Sequence, residues 1–333
     1  MEDLHRYSPN DDTGILLPGN EAPRKRSKLS RKAKDYIFVA IMLAYPILQF
    51  VLTWSFVNIN SLMHAFQSGN VRGYTWCGFA NFVQIFDDLF HSTLNTTGVS
   101  WLNNNSVILL NSLGFGLITI FISLPLSVIF SYFLSKHMPG AYIFRVIFFL
   151  PNIIPIVALA FSFTISFDST YGYLYSFMRW LGFGDKFFSV WPSSQMMVYL
   201  YCIWAGLGYN VLLLSGAIGR IPKELFESAK IDNAGYWKEL IHVVIPCIWP
   251  TIVTLVVLGM TNVLTLYLQP YLITAGEGNT YTISLDIFMA TASYSPAQYT
   301  MAAAKGLLAS VIWAPMILLV RHFMSKKYED VDY

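Results

Sequence analysis

Ser106 to Leu134 reads SVILLNSLGFGLITIFISLPLSVIFSYFL, a run without one Asp, Glu, Lys, Arg or His. About 20 mostly apolar residues in a helix are enough to cross the hydrocarbon of a bilayer, and this run is longer than that. Hydrocarbon offers no water to the backbone, so a spanning segment must be a helix or part of a closed barrel. Barrel strands are about ten residues long and alternate apolar with polar side chains. This stretch is too long and too uniformly apolar for that, and it reads as a transmembrane helix.

Five other stretches pass the same test: Tyr36–Val57, Ala141–Phe167, Met196–Ile218, Val244–Leu272 and Met301–Val320. The expected fold class is therefore all-α, a polytopic membrane protein with six transmembrane helices. The composition agrees. The 333 residues are 55% hydrophobic, 16% aromatic and 12% charged, with a mean hydropathy of +0.50. A soluble domain carries roughly 25% charged residues, so the bilayer is the expected solvent and membrane lipid an expected partner.

The first 35 residues are polar and hold Arg24, Lys25, Arg26, Lys28, Arg31, Lys32 and Lys34. The apolar run that follows is longer than a cleavable signal core and ends in bulky residues, so it reads as a retained first span. Lys and Arg concentrate in cytoplasmic loops. Placing the N-terminus inside puts the tail cluster, Lys136, Arg145, Arg220, Lys223, Lys230, Lys238, Arg321, Lys326 and Lys327 in the cytosol. Only Arg72, Arg179 and Lys186 are left outside. Both ends are expected in the cytosol. The expected organisation is a basic tail at 1–35, a six-span body at 36–325 with a cytosolic loop at 219–243, and a second tail at 326–333. The outer loops are rich in aromatics such as Phe79, Phe82, Trp101, Tyr171, Trp180 and Trp191. They suit an interfacial belt or short helices forming a docking face.

Cys77, Cys202 and Cys247 are far apart, and no histidine pair has helical spacing. Neither a metal nor a nucleic acid is an expected ligand. No paired carboxylates or Ser/His arrangement lies at matching depth in the spans, so no catalytic residue is expected.

The loop between the fourth and fifth spans is unusual. It reads GRIPKELFESAKIDNAGYWKELIHVVIP from Gly219 to Pro246. Pro222 suits a first helical turn. Glu224 and Glu227 lie toward its positive end, and Leu225, Phe226 and Ala229 make a small apolar patch. Asn233 and Gly235 tolerate the left-handed conformation that stops a helix. The prediction is a short amphipathic helix outside the membrane, better suited to a protein groove than to lipid.

Glu227-Ser228-Ala229, then Asp232-Asn233-Ala234 and Val243-Val-Ile-Pro246, resembles the EAA loop of ABC-importer permeases, in the form used by the carbohydrate, maltose-type branch. Ser228 stands for the motif's Ala and Asn233 for its Gly. Gly78-Phe-Ala-Asn81-Phe82 and Phe149-Leu150-Pro151 resemble further short patterns of that family. The resemblance implies the type I importer permease fold in a bacterial plasma (inner) membrane, spanning it several times. Glu227, Ser228, Ala229, Asp232, Asn233 and Gly235 would then couple to an ATP-binding subunit. ATP and Mg would be bound there, since this chain has no G-x-x-x-x-G-K-S/T loop and needs no cofactor of its own. A second permease, in a hetero-dimer, two ATPase subunits and an extracellular sugar-binding protein would complete the assembly.

The resemblance also directs attention to span four (Gly206, Tyr209) and span five (Asn262, Thr265) as the substrate pathway. Gly208, Asn210, Thr261, Tyr267 and Gln269 lie nearby. These residues suit sugar hydroxyls, and they suit interhelical hydrogen bonds equally well. The alternatives are an ABC permease for a non-sugar solute and an ATP-independent secondary transporter. The latter would need intramembrane carboxylates or broken helices. Lys305 is expected to snorkel to the outer interface or to pair with Asp286 or Glu277.

Overall fold

The computed structural model describes residues 31–91, 104–136, 138–182 and 186–326. Most of the basic tail (1–30), Trp101 and the C-terminal residues 327–333 lie outside the described residues. The chain divides into two units, Met1–Val57 and Asn58–Tyr333.

The described residues of the first unit are helical and belong to a long helix, α1 (Lys32–Ala65). Apolar side chains such as Tyr36, Ile41, Tyr45 and Leu52 are exposed along it. A helix that is apolar on all sides requires lipid or protein around it. A π-helical turn occupies Phe50–Ser55, and Phe50 stacks on Trp54 at 5.0 Å.

The second unit begins with the end of α1 and then carries a feature the all-α expectation lacked: an antiparallel hairpin, β1 (Gln67–Asn70) and β2 (Gly73–Trp76). Gly73 takes φ 128° at the turn, where a side chain would be strained. Helix α2 (Ala80–His91) follows. Buried Asn81 anchors it by donating to the Ala65 and Gln67 carbonyls at 3.0 and 2.8 Å. That gives the Gly78–Phe82 pattern a structural job.

The body contains α3 (Asn105–Ser135), α4 (Ala141–Ile153), α5 (Ile156–Ser166), α6 (Tyr175–Trp180) and α7 (Ser193–Ile218). Then come α8 (Lys223–Ile231), α9 (Tyr236–Cys247), α10 (Trp249–Thr265), α11 (Leu268–Thr274), α12 (Ile283–Ala292) and α13 (Pro296–Ser325). Four helices (α1, α3, α7, α13) are each long and apolar enough to cross a bilayer. The third and fifth predicted spans are bent: α4 and α5 meet at 106°, and α9 and α10 at 76°. The count of spans reaches six when each bent pair is one span.

Proline causes both breaks. Pro155 has no N–H and forces the preceding Ile154 to an extended ψ of 135°. At the second break Pro246 and Pro250 flank Ile248, which leaves helical geometry with ψ 6°.

Two apolar clusters hold the body together. One joins the last turns of α3 and α7 to α9 and α10 through Tyr132, Leu214, Val244 and Ile252. The other joins the start of α3 to α5, α6, α7 and α11 through Phe115, Phe163, Met197 and Ile273. Small residues permit the closest approaches. Ser131 is fully buried, and its hydroxyl reaches the Val211 carbonyl across the α3–α7 contact at 3.2 Å. Gly208 lies so close to α4 that a Cβ would overlap the Phe148 carbonyl oxygen, while a Cβ at Gly206 would meet open space.

Gly208→Val should therefore cost about 1–3 kcal/mol or more by overpacking, read as a lowered Tm in detergent. Gly206→Ala should leave Tm unchanged. Equal effects would mean that the α4–α7 approach is not as close as described.

Candidate functional site

The predicted external helix is present as α8, nine residues long and just after Pro222. Glu224 lies in its first turn and Lys230 in its last, each favourable to the helix dipole. Phe226 is half-buried and Ala229 buried against the body, whereas Glu227, Ser228 and Asp232 are exposed. Among the described residues Glu227 makes no ion pair, and Asp232 pairs with neither Lys230 nor Lys238.

Helix α8 ends in a Schellman turn. Asn233 takes φ 52°, the Ala234 N–H donates to the Ala229 carbonyl at 2.9 Å, and the Asn233 N–H donates to Lys230 at 3.1 Å. Asn233 thus does alone what the sequence divided between Asn233 and Gly235. Gly235 is extended (φ −69°, ψ 166°) and starts α9. Sequence reasoning overlooked the large apolar side chains exposed beside this turn: Ile231 is 85% exposed, Tyr236 64% and Trp237 58%. Such side chains beside an exposed carboxylate suit a protein partner.

A cavity of about 610 Å³ lies where the bends of α4–α5 approach α7 and α10. It brings together Gly206 and Tyr209 from α7 with Asn262 from α10, and adds Asn210, Thr261 and Gln269. Thr265 is not among its lining residues; it is exposed, with its hydroxyl on the Thr261 carbonyl at 3.1 Å. The sequence reading overlooked Asn152, at the first bend, which reaches the Ala205 carbonyl at 3.2 Å and also lines the cavity. Leu150-Pro151 was the available signal, since a proline late in an apolar run announces a bend. The Tyr209 hydroxyl and the amides of Asn210, Asn262 and Gln269 have no hydrogen-bond partner among the described residues. No charged side chain lines the cavity. The arrangement can exchange hydrogen bonds with a neutral, polyhydroxylated solute and stack an aromatic ring on it.

Of the two readings of Lys305, the structure shows the ion pair. Its ammonium pairs with Asp286 on α12 at 2.5 Å, beside a second cavity of about 680 Å³ also lined by Asn105, Tyr281 and Gln298.

Comparisons with known proteins agree on one lineage. The family described as "Binding-protein-dependent transport system inner membrane component" matches residues 123–327. The maltodextrin transport system permease protein MalC of Streptococcus pneumoniae is 26% identical over 349 residues, covering 94% of this chain and 74% of that protein. The diacetylchitobiose uptake system permease protein NgcF of Streptomyces coelicolor is 26% identical over 258 residues, covering 74% and 71%. The probable ABC transporter permease protein YurN of Bacillus subtilis is 25% identical over 191 residues, covering 56% of this chain and 65%, just under two thirds, of that protein. A solved bacterial ABC transporter involved in the import of the acidic polysaccharide alginate has a chain of the same fold: TM-score 0.71, 22% identity, covering 88% of this chain and 96% of that one.

Because Asn233 holds a left-handed turn, Asn233→Gly should be neutral in thermal melting. Asn233→Val should cost about 1–2 kcal/mol. A Val variant as stable as the Gly variant would contradict the turn assigned to this residue.

Proposed function

This chain belongs to the family of binding-protein-dependent transport system inner membrane components, and on that premise we propose that it is a permease subunit of an ATP-driven importer for a sugar or oligosaccharide. The observation that carries the solute class is the uncharged cavity lined by Tyr209, Asn210, Asn262 and Gln269. Relatives named for maltodextrin and diacetylchitobiose support the same class.

In this reading each bent pair is one span, giving six, with both termini in the cytosol of a bacterium, as the distribution of Lys and Arg favours. Helix α8 then lies on the cytosolic side. Glu227, Ser228, Asp232 and the Asn233 turn, with Ile231, Tyr236 and Trp237, form the surface seated in an ATPase subunit, and Ala229 backs that surface from within. A second permease supplies the other half of the pathway, a second ATPase subunit completes the motor, and an extracellular binding protein delivers the sugar. ATP and Mg belong to the ATPase. Closure of the two ATPase subunits moves α8, and α7 follows because only residues 219–222 separate the two helices. Gly206 and Tyr209 on α7 thereby change their exposure between the two sides, a rigid-body switch between discrete packings.

The bent pairs remove one argument against an ATP-independent carrier, since such carriers also use broken helices. The separating observation is acidic: no Asp or Glu lies within 36–65, 105–135, 141–166, 193–218, 249–265 or 296–325, and Glu239, in the α9 half of the fifth span, is tied up by Lys136. Ion-coupled carriers need such groups.

The tagged chain, extracted from its host in mild detergent, should co-purify with a second permease and an ABC ATPase. Glu227→Ala should release or uncouple the ATPase. A chain that purifies alone would contradict the reading. In the assembled complex, Tyr209→Ala and Asn262→Ala should each lower sugar transport on the order of tenfold, the worth of about one hydrogen bond, without loss of assembly. Unchanged transport would remove these residues from the pathway.

A further inference from the structure

Lys136 directly follows α3 as its C-cap residue, and Glu239 lies in the first turn of α9. Their side chains form an ion pair. Glu239 is only 3% exposed and the Lys136 side chain 22%, so the carboxylate is buried and the ammonium half-buried. The Lys136 ammonium also lies 5.1 Å from the centre of the Tyr132 ring and 4.9 Å from that of Phe226, within the range of a cation–π attraction. Tyr132 is on α3 and Phe226 on α8. One ammonium therefore touches three elements: α3, α8 and α9.

Stability alone does not call for such an arrangement. Burying a carboxylate against a half-buried ammonium costs desolvation that their attraction barely offsets, and apolar replacements of enclosed pairs are often neutral or stabilising. What a buried pair supplies is a fixed geometry between the elements that carry it. Helix α3 runs from this pair to the cavity, where Thr119 and Ser123 form part of the wall. Thirteen residues separate Ser123 from Lys136, about 20 Å of helix. A π-helical turn occupies Thr119–Ser123 and another occupies Leu240–Val244, directly after Glu239. π-Turns are local departures from α-helical register that recur at functional sites. The tie thus sits between two segments where register can change.

We propose that the Lys136–Glu239 pair, enclosed by Tyr132 and Phe226, transmits displacement of α8 into α3, and so into a wall of the cavity that α7 does not provide. This rests on the importer reading above. Both are positioning residues: they touch neither the solute nor ATP. The exposed face of α8 engages the ATPase, while its inner edge, at Phe226, engages the tie.

The test uses the complete complex, purified with its ATPase and placed in lipid nanodiscs. A Thr119→Cys reporter in α3, with the native cysteines changed to serine, is alkylated by N-ethylmaleimide with and without ATP, Mg and vanadate. With the pair intact, trapping should change the alkylation rate on the order of fivefold, the lower end of typical coupling between sites. Glu239→Gln and Lys136→Met should each hydrolyse ATP within about twofold of the reporter chain yet lose the change in alkylation. The double variant should be no worse than either single one, because both remove the same link. Lys136→Arg, which keeps the charge, should retain most of the response. Variants that keep the full alkylation change overturn the proposal. Variants that lose assembly and hydrolysis together also overturn it, because the pair is then a folding element. A reporter chain with no associated ATPase would instead remove the importer reading, a result distinguishable from the other two.

Discussion

Hydrocarbon cannot satisfy a backbone N–H or carbonyl, and this constraint shapes the second unit. Helices α3, α7 and α13 meet it by bonding internally without a break in the chain direction, Pro125 in α3 and Pro315 in α13 each omitting one N–H. The proline breaks in α4–α5 and α9–α10 cannot. Irregular backbone at membrane depth is tolerated only inside protein or against a water-filled cavity. Here the first break lines the cavity with Pro151, Asn152 and Ile154, while α10 adds Leu255 to Asn262 beyond the second. The first break, the cavity and the unpartnered side-chain amides in it thus share one place in the fold, while the second break, at buried Ile248, lies outside the cavity lining.

Much of this was legible in the residues. Apolar length located α3 and α7 to within a few residues, because hydrophobic thickness fixes how long a crossing must be, while α1 runs on to Ala65 and the third and fifth stretches are each broken in two. The order Pro222, Glu224, Ala229, Asn233 specified α8 because each residue has a local preference that no distant contact overrides. Gly206, Tyr209 and Asn262 were placed in the pathway only through family resemblance, and they do line one cavity. Thr265 is one turn away from it. A single turn is the error to expect where a bend resets the register of α10.

Other features depend on contacts that are distant in sequence. Nothing local announces that Lys136 meets Glu239 across more than a hundred positions; as a loop charge it contributed only to orientation. Asp286 is one of the partners the residues allow Lys305, because nothing in the sequence places α12 beside α13. The hairpin at 67–76 is short and without alternating apolar residues, so it carried no strand signal. It is held from outside itself, the Gly69 N–H donating to the Thr300 hydroxyl at 3.3 Å on α13.

In the proposed importer the exposed and enclosed parts of the molecule divide one task. Helix α8 there offers charge and apolar surface to the ATPase, and the cavity offers uncharged hydrogen-bonding groups to the solute. Two helices, α3 and α7, lead from one to the other. Uptake by the complete complex in proteoliposomes, with its binding protein and a panel of radiolabelled neutral oligosaccharides outside, tests this division most directly. The account predicts uptake of at least one of them with ATP enclosed, and none with a non-hydrolysable ATP analogue or with an ion gradient alone. Equal uptake without ATP would contradict it.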